Sequence, residues 1–471
     1  MTAELRPPAA PAAALAAWRA ALDGEVLLPG EPGFAEAAAQ DGGTAAPAAI
    51  ARPATAADVA RTVRFAAGNG LPLSVRGGGH GAFAARAGAV LVLLSRLDSV
   101  EVRGGGRVDV GGGAVWRQVA RALHPHGLAL SSGDTDSVGV GGLALTGGVG
   151  WLVRRHGLTL DNLLAAEVVT AAGEVLHTDA EHHPDLFWAL RGGGGNFGAV
   201  TRFTFQAHPL PAVHYGTVTA VSPSRESLAA LLRGWRDAMR GADERLNSTL
   251  FAMPAEGGAP ANCQIFTVWG GGDGHRARAA VAPLLELPGI VRTRFERRSY
   301  VSVLQDGGEP DGLEGVVEHA LADAPGAGHD DVVVEERNAF LRLDDAVVDG
   351  LAGLVGQAPG SILAVRALGG AFGRVAPTAT AFGWRDAEAL AVFTGVLPPG
   401  SGAGDVARLE KAWSAIGEGH GTYGNFHERA DGDPFALGVY APVNAERLRR
   451  AKRAWDPGNL FSGNHNIDPA G

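Results

Sequence analysis

One stretch of this chain combines a permissive backbone with a single side chain that can act as a nucleophile. It reads Val75-Arg76-Gly77-Gly78-Gly79-His80-Gly81. Glycines let a backbone approach a ligand closely and adopt left-handed conformations, and successive exposed backbone N–H groups bind anions. We refer to residues 76–81 as the glycine nest. The imidazole of His80 at its end predicts a site that holds a diphosphate cofactor and can also bond to it.

A second glycine-rich segment, residues 133–150, carries almost no charge. Its many glycines disfavour both a stable helix and a regular strand, so we expect neither there. Two interpretations stay open: a tightly packed crossing of the core, or a backbone surface that lies against a large planar ligand. The neighbouring glycine nest favours the second.

A third glycine run, residues 193–198, matches the pattern Gly-x-Gly-x-x-Gly. In a dinucleotide-binding fold a strand precedes this pattern and a helix follows it. Here the predicted order is reversed, with a helix at 185–190 and a strand from Thr201. We therefore expect a loop that packs against some other part of a cofactor. No phosphate-binding Gly-Lys-Ser/Thr loop and no Gly-x-Ser-x-Gly hydrolase turn occurs in the chain.

The remaining candidates for chemistry have ordinary explanations. Cys263 is the single cysteine, which excludes an internal disulfide and a cysteine-rich metal site. Four histidines lack metal-ligand spacing and are predicted on the surface: His124, His126, His182 and His183. A basic cluster near the C-terminus is either an anion site or a solvated helix face, and the second is favoured: Arg447, Arg449, Arg450, Lys452 and Arg453.

Length and composition limit the class of protein. A chain of 471 residues is expected to form two or three domains. Its net charge of −10 argues against nucleic acid as a partner. We find neither a signal peptide nor an apolar run of about 18 residues, so we expect a cytoplasmic protein with no membrane contact. We expect a monomer or a homodimer.

Local sequence patterns predict the helices and strands that carry these motifs. A capping box at Thr55 predicts a helix that ends near Gly68, and a strand at 71–75 leads into the glycine nest. Other elements expected up to residue 208 are strands at 90–94, 107–110 and 201–206, a helix at 114–126 and a hairpin formed by 167–170 and 175–178. After Pro209 we expect an antiparallel sheet with helices on one face: helices at 225–240 and 274–287, strands at 248–253, 263–268, 362–368 and 380–384, and then a basic helix at 444–455.

Several of these motifs, in this order, resemble the berberine bridge enzyme-like flavoprotein oxidases of the vanillyl-alcohol-oxidase type. The resemblance covers nearly the whole chain and rests on residues 76–81, 133–151, 191–198 and 464–467. It implies an α+β fold: a two-subdomain, PCMH-type FAD-binding domain and an α+β substrate domain with an antiparallel sheet. The implied boundaries are 1–208 for the FAD domain, 209–420 for the substrate domain and 421–471 for a segment that returns to the FAD domain.

The resemblance also implies how FAD is held. His80 matches the histidine that bonds to the flavin 8-methyl carbon, whereas Thr135 stands where many relatives carry a second, cysteine tether. Because a hydroxyl is a far weaker nucleophile than a thiolate, attachment through His80 only is expected. The expected cofactor-binding residues are Arg76, Gly77, Gly78, Gly79, His80, Gly81, Gly133, Asp134, Thr135, Ser137, Val138, Gly139, Gly141, Gly142, Gly148, Val200, Asn425, Asn464 and Asn466. No metal site is expected.

Tyr423 resembles the tyrosine of the family's Tyr-x-Asn-aromatic segment, where it acts as a general base or binds the substrate near flavin N5. A phenol has an ordinary pKa near 10, so base catalysis requires neighbours that stabilise its anion. The alternative is a tyrosine that only orders its loop. Asn425 is expected to face the flavin, and Tyr300 and Arg366 are weaker candidates for the substrate pocket.

The resemblance implies an FAD-dependent oxidase that takes a hydride from a small molecule to flavin N5 and is reoxidised by O2, giving hydrogen peroxide. The substrate is an alcohol, a sugar, an amine or a natural-product scaffold of secondary metabolism. Two alternatives stay open. One is a flavoprotein that binds and sequesters a drug, and the other is a dehydrogenase that uses another electron acceptor.

Overall fold

The computed structural model describes residues 10–39, 46–81, 86–254, 261–307, 333–358, 360–416, 421–427 and 433–470. Within these ranges no helix is both long and apolar enough to cross a lipid bilayer. The α-helices are α1 Ala12–Ala21, α2 Phe34–Ala38, α3 Ala56–Gly68, α4 Trp116–Leu123, α5 Val140–Thr146, α6 Val153–His156, α7 Pro184–Leu190, α8 Arg225–Gly241, α9 Gly274–Leu285, α10 Tyr300–Gln305, α11 Asp345–Leu354, α12 Ala371–Arg374, α13 Ala403–Ser414 and α14 Ala445–Trp455.

The first sheet carries the glycine nest. Its described strands run in the order β1-β2-β4-β3, with parallel pairing of β4 to both β2 and β3. All four residues of β4 are buried, as expected for a parallel strand covered on both faces. Thr55 caps α3 as predicted, since its side chain accepts a hydrogen bond from the Asp58 N–H. The strands are β1 Glu25–Leu27, β2 Ala49–Arg52, β3 Leu73–Arg76 and β4 Val90–Leu93.

The second sheet is antiparallel and holds the 193–198 loop. The order of its described strands is β5-β6-β10-β8-β9. The predicted hairpin is confirmed as β8 and β9, and the glycine loop lies between α7 and β10, opposite to the dinucleotide-binding order. The strands are β5 Val100–Val102, β6 Arg107–Gly111, β8 Leu163–Val169, β9 Val175–Asp179 and β10 Ala199–Gln206, and a separate short pair joins β7 Leu128–Ala129 to β11 His208–Pro209.

The third sheet is the large antiparallel sheet expected after Pro209. Its described strands run in the order β15-β12-β14-β13-β17-β18-β16. Helices α8, α9 and α11 cover one face with a large apolar core. The other face presents aromatic residues, including Phe251, Phe266 and Phe340, to the 149–160 segment. The strands are β12 Val213–Ser222, β13 Leu246–Met253, β14 Ala261–Trp269, β15 Ile290–Arg298, β16 Val333–Leu341, β17 Gly360–Ala367 and β18 Ala389–Leu397.

Two local predictions are wrong. The 133–150 segment contains a helix, α5, because burial of Val140 and Ala144 outweighs the low helix propensity of Gly141 and Gly142. Residues 380–384 form no strand. The Phe382 N–H instead donates to the Arg191 carbonyl, so this backbone bonds outside any ladder.

The predicted solvated face of α14 also requires a correction at Lys452, whose side chain is fully buried. Its ammonium donates to Asp456 Oδ2 at 2.7 Å and to the backbone carbonyls of Asn196 and Phe461. A buried charge of this kind needs a partner and full hydrogen bonding. Lys452 therefore joins the C-terminal segment to the glycine loop of the second sheet.

A stacked histidine pair lies where the second sheet leads into the third. The rings of His156 and His208 are 3.9 Å apart and nearly parallel, and His208 Nε2 lies 2.6 Å from Asn162 Oδ1. Burial, followed by the neighbouring His208 and Arg155, lowers the pKa of His156 to about 3. The folded protein therefore holds this histidine neutral at pH values where an unfolded chain would protonate it.

We expect this pair to make the protein sensitive to acid. A pKa that is depressed in the folded state stabilises the protein above the ordinary value of 6.5, and this contribution is lost as the pH falls toward about 3. The loss is at most about 1.4 kcal/mol per pH unit for one histidine. Chemical unfolding of His156→Phe across this range should show a shallower slope than the wild type, and the exposed His126→Phe should not. Equal slopes for wild type and His156→Phe would contradict this assignment.

Candidate functional site

A cavity of about 410 Å³ lies where the three sheets meet. The glycine nest, the second glycine-rich segment and the 194–200 stretch form its walls, together with the 421–427 turn and the 461–465 segment. From the third sheet, Glu336 on β16 also lines it. Residues more than 380 positions apart in sequence thus share one concave site, which is the usual form of a cofactor or substrate site.

The glycine nest and the second glycine-rich segment touch through backbone atoms. A Cβ atom built on Gly78 would lie 2.5 Å from the Cα atom and the nitrogen of Gly139. The reverse holds for Gly139, where a Cβ would lie 2.4 Å from the Gly78 nitrogen. Gly79 adds a left-handed φ of +88° immediately before His80. Only glycine allows this approach, which leaves backbone rather than side chains at the cavity wall.

The cavity has polar atoms that suit a large polar ligand. Ser74 Oγ and Asn464 Oδ1 are buried at its wall and have no hydrogen-bond partner among the described residues. Buried polar atoms are nearly always paired in folded proteins. His80 lies at the same wall with an exposed side chain. Unpaired acceptors, a bare backbone wall and an accessible imidazole together fit a nucleotide cofactor such as FAD.

Asn196 ties the glycine loop to the C-terminal segment beside the cavity. Its amide group donates to the Tyr440 hydroxyl at 2.9 Å and to the His465 carbonyl at 3.1 Å, and its Oδ1 accepts the Ile467 N–H. Asn196 is fully buried. His465 Nε2 then lies 3.0 Å from the Gly424 carbonyl, which requires the ring to donate there. This network fixes the 461–467 segment against the turn that carries Tyr423.

Tyr423 is buried, and its hydroxyl accepts up to three hydrogen bonds. The donors are the Gly148 N–H at 2.9 Å, the Asn425 amide at 2.9 Å and the Val149 N–H at 3.4 Å. Burial raises the pKa of Tyr423 above its ordinary value, while these three donors act in the opposite direction. The net direction is upward, so the phenol is protonated at neutral pH. A hydroxyl surrounded by N–H donors is nevertheless an environment that stabilises an anion when one forms.

An ion pair crosses the edge of the cavity. Arg366 on β17 donates to Asp134 Oδ2 at 3.1 Å, and its guanidinium lies 5.1 Å from the ring of Phe426. Both charged side chains are mostly buried. Asp134 lies at the cavity wall, whereas Arg366 belongs to the third sheet. The pair therefore links the second glycine-rich segment to the sheet that covers the site.

Most of the predicted site residues meet at this cavity. Those at its wall are Arg76, Gly77, Gly78, Gly79, His80, Gly81, Gly133, Asp134, Val138, Gly139, Gly141, Gly142, Val200, Tyr423, Asn425 and Asn464. Those outside its lining are Thr135, Ser137, Gly148, Asn466, Tyr300 and Arg366. Arg76 contributes backbone only, because its guanidinium donates to the carbonyls of Ala37, Ala38 and Ala39.

Cys263 lies on the far side of the third sheet from the cavity. It is fully buried in the core between that sheet and its helices. Burial raises the pKa of the Cys263 thiol to about 12, so it stays protonated and unreactive. The four histidines set aside in the sequence, His124, His126, His182 and His183, are exposed, and no group of three or more side chains that could hold a metal ion occurs among the described residues.

Sequence reasoning missed several residues of the site. Glu336, His427 and His465 line the cavity, and Asn338 bonds the turn that carries Tyr423. His465 lies within the 464–467 segment that carries part of the family resemblance, so the sequence could have identified it as a site residue. Asn338 and Glu336 lie in an ordinary strand pattern, so no local signal distinguishes them.

Two family profiles match the segments of the chain that contribute opposite parts of the sequence to this cavity. The family profile described as "FAD binding domain" matches residues 47–179, which include the glycine nest and the second glycine-rich segment. The profile described as "Berberine and berberine like" matches residues 439–468, which include the C-terminal wall of the cavity.

Full-length relatives agree with these profiles. The chain is 33% identical to (R)-6-hydroxynicotine oxidase of Paenarthrobacter nicotinovorans, over 96% of this chain and 98% of that protein. The crystal structure of 6-hydroxy-D-nicotine oxidase from Arthrobacter nicotinovorans superposes with a TM-score of 0.80 at 29% identity, covering 95% and 98% of the two chains. A chitooligosaccharide oxidase of Gibberella zeae is 40% identical over 35% of each chain. The expected α+β, PCMH-type architecture is thereby confirmed.

We expect Gly139→Ala to disrupt the cavity, because its methyl group would meet backbone atoms of the glycine nest that cannot move aside. Overpacking of this kind costs about 1 to 3 kcal/mol, so the melting temperature and the flavin content of the purified protein should both fall. Gly68→Ala is the matched control, since no atom of the described residues lies within 4 Å of its added Cβ. A Gly139→Ala protein with full flavin content and unchanged melting temperature would refute this contact.

Proposed function

The chain belongs to the berberine bridge enzyme-like FAD-linked oxidases, and on this premise we propose that it oxidises a small molecule with FAD bound covalently through His80 and passes the electrons to O2. It is an FAD-dependent oxidoreductase. The observation that carries the proposal is the cavity that brings His80, a bare glycine backbone and Tyr423 together. When bound, FAD supplies the hydride acceptor of the reaction.

The proposed cofactor site uses backbone for the diphosphate and side chains for orientation. The glycine nest and Gly139, Gly141 and Gly142 present backbone to the cavity, which suits phosphate oxygens and a planar ring. Asn464 and Ser74 supply buried polar atoms that have no hydrogen-bond partner in the part of the chain that the structure describes. We assign residues 1–208 and 421–471 to FAD binding and residues 209–420 to the substrate side.

His80 is the only covalent anchor in this proposal. Its imidazole is exposed at the cavity wall, so a ring nitrogen can approach a ligand there. Thr135 lies outside the cavity lining, and its hydroxyl is 3.5 Å from the Gly307 carbonyl. Cys263 lies behind the third sheet. Among the described residues, neither position offers a second nucleophile to the cofactor.

Tyr423 is the proposed catalytic residue. Its hydroxyl lies against the Gly148 and Val149 N–H groups at the cavity, where it can bind a substrate hydroxyl or amine or accept its proton. The raised pKa means that base catalysis requires the hydroxyl to lose its proton to the solvent or to a neighbour first. The three N–H donors then hold the negative charge on oxygen. Asn425, which donates to the same hydroxyl, is assigned to orient it.

We expect His80→Ala to convert tightly held flavin into releasable flavin. Acid precipitation of the wild-type protein should leave yellow flavin in the pellet, and the same treatment of His80→Ala should release it to the supernatant. Thr135→Ala is the control and should behave like the wild type. Complete release of flavin from the wild type would contradict covalent attachment but would not contradict FAD binding.

The oxidase proposal is tested by flavin bleaching and peroxide formation. The probes are 6-hydroxynicotine and a chitooligosaccharide, the compounds that the names of two relatives contain. Anaerobic mixing should bleach the flavin absorption with one of them, and air should restore it with peroxide release. Tyr423→Phe should slow bleaching by about 10²-fold or more, because acid–base groups typically contribute that much. Bleaching with slow return in air would indicate a dehydrogenase, and binding without bleaching a sequestering protein.

A further inference from the structure

Asn338 is a buried side chain that holds both ends of the turn carrying Tyr423. It lies on β16 and is 5% exposed. Its Oδ1 accepts the Tyr423 N–H at 2.6 Å, and its Nδ2 donates to the Phe426 carbonyl at 2.8 Å. The 2.8 Å distance lies within the usual range for an N–H···O hydrogen bond, and the 2.6 Å distance is slightly shorter than that range. One amide group thus closes a turn that begins at Tyr423 and ends at Phe426.

The turn lies along the open edge of the third sheet. Among the described strands β16 is at the end of the sheet order and pairs with β18. The Phe340 N–H donates to the Gly421 carbonyl at 2.7 Å, and the Phe340 ring meets the Tyr423 ring edge-on with centroids 5.7 Å apart. Backbone groups of β16 that would otherwise be exposed to solvent at the sheet edge therefore bind the 421–426 segment.

Tyr423 therefore spans two parts of the fold. Its backbone is bonded to the third sheet through Asn338, whereas its hydroxyl is bonded to Gly148 and Val149 of the second glycine-rich segment. The position of the hydroxyl in the cavity depends on both attachments. Geometry at a reacting group is critical, since a displacement of about 1 Å can cost roughly 10²-fold in rate.

We propose that Asn338 is a positioning residue that sets the place of the Tyr423 hydroxyl in the active site by clamping the Tyr423–Phe426 turn to β16. This inference rests on the proposed role of Tyr423. Asparagine suits the task because one side chain both accepts and donates. An aspartate anion accepts from the Tyr423 N–H but repels the Phe426 carbonyl, and a leucine satisfies neither group.

The test uses the flavin-loaded protein and sulfite, a small anion that adds to the flavin and bleaches its absorption without turnover. Tyr423→Phe first measures how much the hydroxyl contributes to the sulfite Kd. Asn338→Leu should move the Kd in the same direction, by on the order of tenfold. Asn338→Asp should resemble Asn338→Leu at alkaline pH and return to the wild-type Kd at acid pH. The wild-type Kd is expected to return at acid pH because a protonated aspartic acid both accepts and donates hydrogen bonds, as asparagine does.

A second measurement follows the turn without the flavin. Hydrogen exchange of the 421–427 peptide should be faster in Asn338→Leu than in its parent, both in the holoenzyme and in flavin-free His80→Ala. The matched control is Asn162→Leu, which removes an equally buried asparagine whose amide bonds the carbonyls of His156 and Leu158 away from the cavity. It should lower the melting temperature but leave the sulfite Kd and the exchange of this peptide unchanged.

The outcomes separate the two levels of the proposal. If Tyr423→Phe alters the sulfite Kd and Asn338→Leu does not, or if Asn338→Asp follows the wild-type pH profile, the positioning role is overturned and the role of Tyr423 stands. If Tyr423→Phe leaves the sulfite Kd unchanged, its hydroxyl does not act at the flavin, and both the role of Tyr423 and the inference about Asn338 fall. Bleaching by a substrate decides the oxidase function independently of either result.

Discussion

The site depends on the contact between the glycine nest and the second glycine-rich segment. Gly78 and Gly139 meet with no room for a side chain on either partner. This contact joins the end of β3 in the first sheet to the start of α5, which packs on the second sheet. Because backbone faces backbone there, this part of the cavity wall consists of N–H and carbonyl groups and Cα atoms. A wall of this kind admits a diphosphate and a flat ring, which side chains would keep away.

Buried charges hold the remaining parts against that wall. Lys452 and Asp456 join α14 to the glycine loop and to Phe461, and Arg385 makes a two-point ion pair with Asp161 next to the 147–160 segment. Both pairs are almost fully buried. Loss of one partner from such a pair costs about 3 to 5 kcal/mol, because the other charge stays unpaired. These buried ion pairs thus join segments of the site that are distant in sequence.

The candidate functional side chains likewise come from different parts of the fold. His80 belongs to the loop after the first sheet, Tyr423 lies between the third sheet and the second glycine-rich segment, and Arg366 reaches from the third sheet to Asp134. The large sheet therefore borders the cavity and bonds the turn that carries Tyr423.

The amino-acid sequence by itself determined the features that depend on backbone chemistry. Glycine runs, the Thr55 cap, the β8–β9 hairpin and the single imidazole of the nest are local patterns, and the ordered set of motifs indicated the flavoprotein family. The tertiary structure alone decided the helix at α5, the irregular path at 380–384, the burial of Lys452 and the clamp formed by Asn338. Each of these depends on a partner far along the chain, such as the Ala114 carbonyl that accepts from the Val140 N–H at the start of α5, or Tyr423 and Phe426 for Asn338. Local propensity contains no information about such partners, so packing and hydrogen bonding between distant segments settled them.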